Sequence, residues 1–169
     1  LNGASDFTQS GVSGGITDLN PNSVHFGNAS TAVFTAVVTQ SAQRATLGAG
    51  AFSAGGGQLR ITGSLGTEDV VISSSQAGTA VGLAINSLRE FTGVYASNGT
   101  LFSEDFGSEQ LVRVEVVSGT YGGGTGIDNG QDIGLNLDAA TIETNGLDVR
   151  FNSKFLKGEF RFALSAAGV

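Results

Sequence analysis

Apolar side chains in this chain come in short bursts separated by Gly, Ser, Thr and Asn, and most bursts alternate one for one with polar residues. Alternation with period two puts one face of a strand against a core and leaves the other wet. Leu59 and Ile61 alternate with Arg60 and Thr62, and Leu65 extends the pattern. Leu65-Gly66-Thr67-Glu68 then reads as a turn, and Val70-Val71-Ile72 begins a returning strand. Leu111 to Val117 alternates in the same way, with Arg113 and Glu115 on one face. Gly158 to Leu164 does so again, placing Phe160, Phe162 and Leu164 on one side. Ala32 to Val38 is a short β-branched run, better suited to a strand than to a helix, and Ala42 to Leu47 continues it or turns out of it.

One segment has a different period. Val81, Ala84, Ile85 and Leu88 fall at i, i+3, i+4 and i+7, the stripe of an amphipathic helix over about 79–92. Thr79 is the expected N-cap, Gly93 the left-handed end, and Arg89 and Glu90 face solvent. Beyond it, Val94-Tyr95-Ala96 and Leu101-Phe102-Ser103 flank Asn98-Gly99, the strongest short hairpin signal. A further turn at Phe106-Gly107-Ser108 precedes Leu111. The order over about 58–118 is therefore strand, strand, helix, strand, strand, with the helix packed on a small sheet.

The flanks are read as follows. Leu1 to Asn20 is a connecting arm with one short extended piece, Asn20-Pro21-Asn22 a turn, and Gly48 to Gly57 a loop. Thr120 to Gly130 is a second Gly-rich connection, and Ile133–Leu137, Ala140–Ile142, Leu147–Phe151 and Gly158–Leu164 make hairpins over about 131–165. The expected class is α+β, mostly β: short antiparallel strands with one helix. Residues 1–20 form the arm and 21–169 a single central domain.

Composition narrows the function. With 169 residues, 40% hydrophobic, the chain can bury a core, and its 11 Phe supply most of the large side chains for it. The 27 Gly and single Pro suit many tight turns. A net charge of −7 disfavours phosphate backbones and anionic lipid, so neither nucleic acid nor membrane is an expected partner. No apolar run approaches the roughly 18 residues of a bilayer span. The absence of Cys excludes disulfides, thiolate metal sites and cysteine nucleophiles. The chain starts at Leu1 and holds no Met, which leads us to expect a segment of a longer protein.

Candidate chemistry is sparse. His25, the one histidine, lacks a second His or any Cys to complete a dyad or metal site, and is read as a surface or strand-edge residue. Gly122-Gly123-Gly124-Thr125-Gly126 resembles a phosphate loop only in composition. A phosphate loop needs a helix N-terminus behind it, whereas Ile127-Asp128-Asn129-Gly130 is another turn. Asp128, Asn129, Gln131 and Asp132 lack calcium-loop spacing and read as an Asx-type turn. Glu104 and Asp105 are adjacent and point to opposite faces of a strand, so they are no glycosidase pair. Asn28-Ala29-Ser30 and Asn98-Gly99-Thr100 match the N-glycosylation pattern. No residue is nominated as catalytic, cofactor-binding or metal-binding, no cofactor is expected, and the chain is not expected to be an enzyme.

Four segments, in order, carry a resemblance: Gln58 to Gly66, Thr79 to Leu88 with its Ala84-Ile85-Asn86, Thr92-Gly93-Val94-Tyr95-Ala96, and Leu101 to Val116 with its Phe106-Gly107-Ser108 turn. Together they resemble the strand–strand–helix–strand–strand motif of the central regions of flagellins and hook-associated proteins. Leu1 to Phe7 with Ser10-Gly11-Val12 resembles the point where a flagellin leaves its N-terminal helices. Gly130 to Ile142 and Asn145 to Phe151 resemble a downstream segment in which the family often has Thr-Ile-Asn-Gly. Here Leu135-Asn136-Leu137-Asp138 departs from that version, which leaves the subfamily open.

The resemblance implies the surface-exposed central domain of a flagellin, extracellular, in the filament of a bacterial flagellum. The family's terminal helices, which build the filament core, are not in this chain, and no sustained heptad pattern appears in it. The fragment alone is then expected to be a monomer, its partners being other flagellin subunits in the full-length filament. Two alternatives remain at this level: another axial protein (filament cap or hook-associated), or an extracellular carbohydrate-binding adhesin module. The second is poorly supplied with aromatic platforms, having no Trp and only Tyr95 and Tyr121.

Overall fold

The computed structural model describes residues 15–25, 27, 33–73, 78–137 and 140–163. In chain order the elements are β1 (Ile16–Val24), β2 (Ala36–Gln40), β3 (Thr46–Gly48), β4 (Phe52–Gly63) and β5 (Thr67–Ile72), then α1 (Gly78–Asn86) and α2 (Arg89–Thr92). They continue with β6 (Val94–Ser97), β7 (Thr100–Ser103), β8 (Leu111–Tyr121), β9 (Gly126–Asn129), β10 (Gly134–Leu137), β11 (Thr141–Asn145), β12 (Asp148–Asn152) and β13 (Leu156–Phe162). The fold is mostly β with antiparallel sheets and two helices, the expected class. Where one domain over 21–169 is expected, contacts divide the chain into two compact units, Gln43–Gln131 and Leu1–Ala42 with Asp132–Val169.

In the unit Gln43–Gln131, β4 is central to a sheet of order β5-β4-β8-β9. The alternation read from sequence gives its two faces. Leu59, Ile61, Val70, Ile72, Val112 and Val114 turn inward and are buried. Outward, Arg60 pairs with Asp69 at 2.9 Å, Gln58 donates to Asp69 at 2.9 Å, the Thr62 and Thr67 hydroxyls meet at 2.9 Å, and Arg113 pairs with Glu115. A second sheet, β3-β7-β6, supplies Leu101 and Val94 to the same core, and α1 supplies Val81 and Ile85. Asn98 and Gly99 take φ 48° and 77° between paired Ser97 and Thr100, so the expected two-residue hairpin turn is present.

The single expected helix is two helices. Ser87 Oγ donates to the Ala84 carbonyl at 2.7 Å, and Leu88 N–H reaches Ile85 O in a tightened turn. Leu88 has φ −105° and ψ 7°, outside the helical basin. A serine hydroxyl that takes a backbone acceptor of the preceding turn competes with the helix ladder. Thr79 is not an N-cap but lies inside α1, which begins at Gly78. The expected left-handed end at Gly93 is there, with φ 73° and its N–H on Arg89 O.

This corner joins four segments. Thr92 is fully buried, and its hydroxyl donates to Leu88 O at 3.1 Å and accepts Val94 N–H at 3.1 Å. The Thr92 carbonyl accepts Leu65 N–H from the β4–β5 turn, and the Gly93 carbonyl accepts Glu104 N–H. Leu65 itself sits in that turn, 66% exposed, and does not extend the β4 pattern inward. Asn86, at the end of α1, donates to Ala96 O at 3.0 Å and accepts Ala96 N–H at 2.6 Å. It thereby takes the place of a neighbouring strand at the free edge of β6.

In the unit Leu1–Ala42 with Asp132–Val169, one sheet has the order β1-β13-β12-β11 and β10 pairs with β2. Val149, Phe151, Phe160 and Phe162 are buried on one face, with Phe160 5.7 Å from Phe151 and 5.4 Å from Phe162. Leu164, expected beside them, lies outside the described residues. Of the expected arm, residues 1–14 also lie outside, whereas Ile16–Asn20 open β1. Asn20-Pro21-Asn22 is not a turn but part of that edge strand, Pro21 facing Gly158 between register shifts. Proline lacks an N–H yet fits an edge or bulge, and the extended bias it imposes on the preceding residue suits a strand equally well. Of the run expected over Ala32–Val38, Ala32 lies outside the described residues, Val33 to Thr35 belong to no strand, and β2 begins at Ala36; the first strand after Ala42 is β3.

The corner generates a stability prediction. Thr92→Val keeps the shape but strands the buried Val94 N–H, and should cost about 1–3 kcal/mol. Gly93→Ala adds the left-handed penalty of about 1–2 kcal/mol, with its Cβ 3.1 Å from Leu65 and Ser64 atoms. Urea unfolding of both variants should show lower midpoints at unchanged slope, with Thr92→Ser close to wild type.

Candidate functional site

The structure scatters the residues that could carry chemistry. His25 is exposed just after β1, with its backbone N–H on Phe155 O at 2.7 Å. Asp128 and Asp132, four residues apart in the oxygen-rich stretch, serve different backbones. Asp128 Oδ2 accepts Thr46 N–H at 2.7 Å, and Asp132 Oδ1 accepts Gly146 N–H at 2.7 Å. Among the described residues no three of His, Asp and Glu converge as metal ligands would. Asn28-Ala29-Ser30 lies outside the described residues, while Asn98-Gly99-Thr100 is the β6–β7 turn.

The Gly-rich segments have a packing role instead. Neither is wholly a loop: Phe52–Gly57 belongs to β4, and Thr120, Tyr121 and Gly126–Asn129 belong to β8 and β9. Gly55 and Gly56, at φ 104° and 74°, let β4 bulge between its pairs with Tyr121 and Gly119. Gly48–Ala51 then lies directly against Gly122–Gly124, with Gly124 N–H on Gly48 O at 2.7 Å and Gly122 N–H on Ala51 O at 2.9 Å. The half-buried Tyr121 hydroxyl accepts Gly50 N–H at 2.9 Å, and its ring lies 5.5 Å from Phe52. Burial pushes the Tyr121 phenol above its usual range, so it stays neutral. A Cβ on Gly50 would lie 2.1 Å from Gly123 N. Backbone contact this close requires glycine and leaves no cradle for a phosphate.

The densest polar cluster is one that sequence reasoning misses. On the outer face of β7-β6, Tyr95 and Phe102 stack at 5.4 Å. Arg89 lies over Tyr95 at 4.9 Å and Arg44 over Phe106 at 4.4 Å, both within cation–π range. Arg44 also donates to the carbonyls of Ser103 (2.7 Å) and Glu104. Arg89 forms a two-pronged ion pair with the Glu104 carboxylate, one of the two adjacent acids considered above. That bond holds the Glu104 carboxyl below its ordinary range. Only the Tyr95–Phe102 pair was traceable beforehand, because a two-residue turn at Asn98-Gly99 sets them opposite each other. A shallow depression of about 570 Å³ on the outer face of β11–β13 has two ion pairs in its lining, Arg161 with Asp148 at 3.1 Å and Arg150 with Glu159 at 3.7 Å.

No protein-family model, no curated protein and no solved structure matches the chain.

Two predictions follow from this geometry. Gly50→Ala should destabilise by about 1–3 kcal/mol through overpacking. Gly122→Ala, whose Cβ would meet only Ala51 O at an ordinary 3.5 Å, should stay within about 0.5 kcal/mol of wild type. Thermal unfolding of the pair distinguishes close packing from mere loop flexibility. For Glu104 the folded-state pKa lies below the unfolded one, so its ion pair with Arg89 contributes fully above the ordinary carboxylate value of 4.5. The contribution disappears as pH falls through the lower, folded value. A Glu104→Gln variant should lose part of the acid-range decline in stability seen in wild type, by a small margin because the pair is partly exposed.

Proposed function

We propose that this chain is the outward-facing central domain of a bacterial flagellin, a structural part of the motility filament, extracellular and without catalytic residues, cofactor or metal. The observation that carries the reading is the order of Ala84-Ile85-Asn86, Thr92-Gly93-Val94 and Phe106-Gly107-Ser108 within one strand–strand–helix–strand–strand stretch. Each piece has a defined duty in the fold: Asn86 caps β6, Thr92 and Gly93 make the corner, and Gly107 turns with φ 118°. Such a set of interlocked duties supports reading the stretch as one transferable module. Other flagellin subunits would then meet this protein mainly through terminal helices that this chain does not contain.

The adhesin reading is weakened by the tyrosines. Phe102 and Arg89 cover Tyr95, and Tyr121 is half-buried against Phe52, so neither offers a bare ring for a sugar to stack on.

Immunogold microscopy with antibodies raised against this chain tests the proposal in the organism that encodes it. Label along the whole length of the flagellar filament is the expected result. Label confined to the filament tip or to the hook–filament junction assigns the chain to another axial protein, and unlabelled filaments overturn the flagellar reading.

A further inference from the structure

Three asparagines among the described residues precede glycine: Asn98-Gly99, Asn129-Gly130 and Asn145-Gly146. In such a pair the glycine nitrogen carries no neighbouring side chain to hinder its approach to the asparagine carbonyl carbon Cγ. The fold treats the three differently. Gly130 is buried and its N–H donates to Gln110 O at 2.9 Å. Gly146 is buried and its N–H donates to Asp132 Oδ1 at 2.7 Å. Asn98 and Gly99 are both exposed, a Cβ on Gly99 would meet nothing within 4 Å, and no acceptor among the described residues holds the Gly99 N–H. Only the Gly99 carbonyl is engaged, by Ala49 N–H at 2.9 Å.

We propose that Asn98 is a site of covalent self-modification, closing a succinimide with Gly99 and hydrolysing to aspartate or isoaspartate. Hydroxide removes the Gly99 N–H proton, and the nitrogen lone pair forms a bond to Asn98 Cγ. The tetrahedral centre collapses, the Cγ–Nδ2 bond breaks, and ammonia leaves after taking a proton from water. Water then opens the ring at either carbonyl, at the side-chain one to restore a normal backbone or at the main-chain one to leave isoaspartate. One water enters, one ammonia leaves and nothing is oxidised or reduced.

Ring closure requires the turn to open, and at the hairpin tip this disturbs the terminal Ser97–Thr100 pair and the Ala49 N–H bond to the Gly99 carbonyl. Asn98 sits at φ 48°, in the left-handed region that asparagine tolerates in a tight turn. At Gly130 and Gly146 the nucleophilic N–H must first be freed from a buried hydrogen bond, which needs a larger local unfolding. Either product adds a negative charge to a chain already at −7. Isoaspartate also lengthens the turn and displaces the Gly99 carbonyl from Ala49.

The test is peptide mapping by mass spectrometry after incubating the full chain at mildly alkaline pH, folded and in denaturant. Denaturant gives each site's intrinsic rate, and the folded-to-denatured ratio gives its protection. The proposal expects that ratio to be several-fold larger at Asn98 than at Asn129 or Asn145, with isoaspartate in the Asn98 peptide. An equal or larger ratio at either other site overturns it. So does an Asn98 that converts in denaturant and not in the folded chain.

Discussion

A chain that leaves a helix and enters a strand within one residue must reverse its backbone while satisfying the orphaned groups at the helix end. Here that happens at Thr92-Gly93, and the surrounding unit is organised by how it is done. The glycine takes the left-handed conformation, and the buried threonine hydroxyl supplies both a donor for Leu88 O and an acceptor for Val94 N–H. The two carbonyls then reach outward, to Leu65 and to Glu104. One turn of backbone thus fixes the β4–β5 connection, the end of α2, the start of β6 and the segment after β7. Gly63 packs so closely on the Thr92 carbonyl that a Cβ there would come within 2.2 Å of it.

Around that corner the remaining stabilisation divides by face. Inner faces bury Leu, Ile and Val, while outer faces carry ion pairs and hydroxyl contacts that contribute little each because water competes for them. The Arg44, Arg89, Tyr95, Phe102, Phe106 and Glu104 group combines ring stacking, cation–π contacts and an ion pair on the outer side of a small sheet. Its polar groups are turned toward one another. The same holds for the paired charges over β11–β13.

How much of this was legible beforehand depended on the range of the interaction. Strands with clean alternation, such as Leu59-Arg60-Ile61-Thr62 and Leu111 to Glu115, could be read, because period and burial are local properties. The Asn98-Gly99 turn and the Gly93 helix end were equally local. The helix break at Ser87-Leu88 was hidden, since the apolar stripe Val81-Ala84-Ile85-Leu88 runs on from α1 to the break itself. Pro21 in β1, and the Gly-rich stretches that become β4 and β9, depended on partners far away in sequence: Gly158, Tyr121 and Leu111. The Arg44 cluster was illegible for the same reason, with its members drawn from residues 44 to 106.

Side-chain hydrogen bonds from Asn86 at the end of α1 and Thr92 at the end of α2, and not a neighbouring strand, hold the open edge of β6. Amide hydrogen exchange measures it directly at Ala96, whose N–H meets Asn86 Oδ1. The expected result is a protected Ala96 amide in the wild-type chain, released in Asn86→Ala while Leu59 and Val114 stay protected. An Ala96 amide that exchanges as fast as Gly99 in the wild type, or stays unchanged in Asn86→Ala, would contradict it.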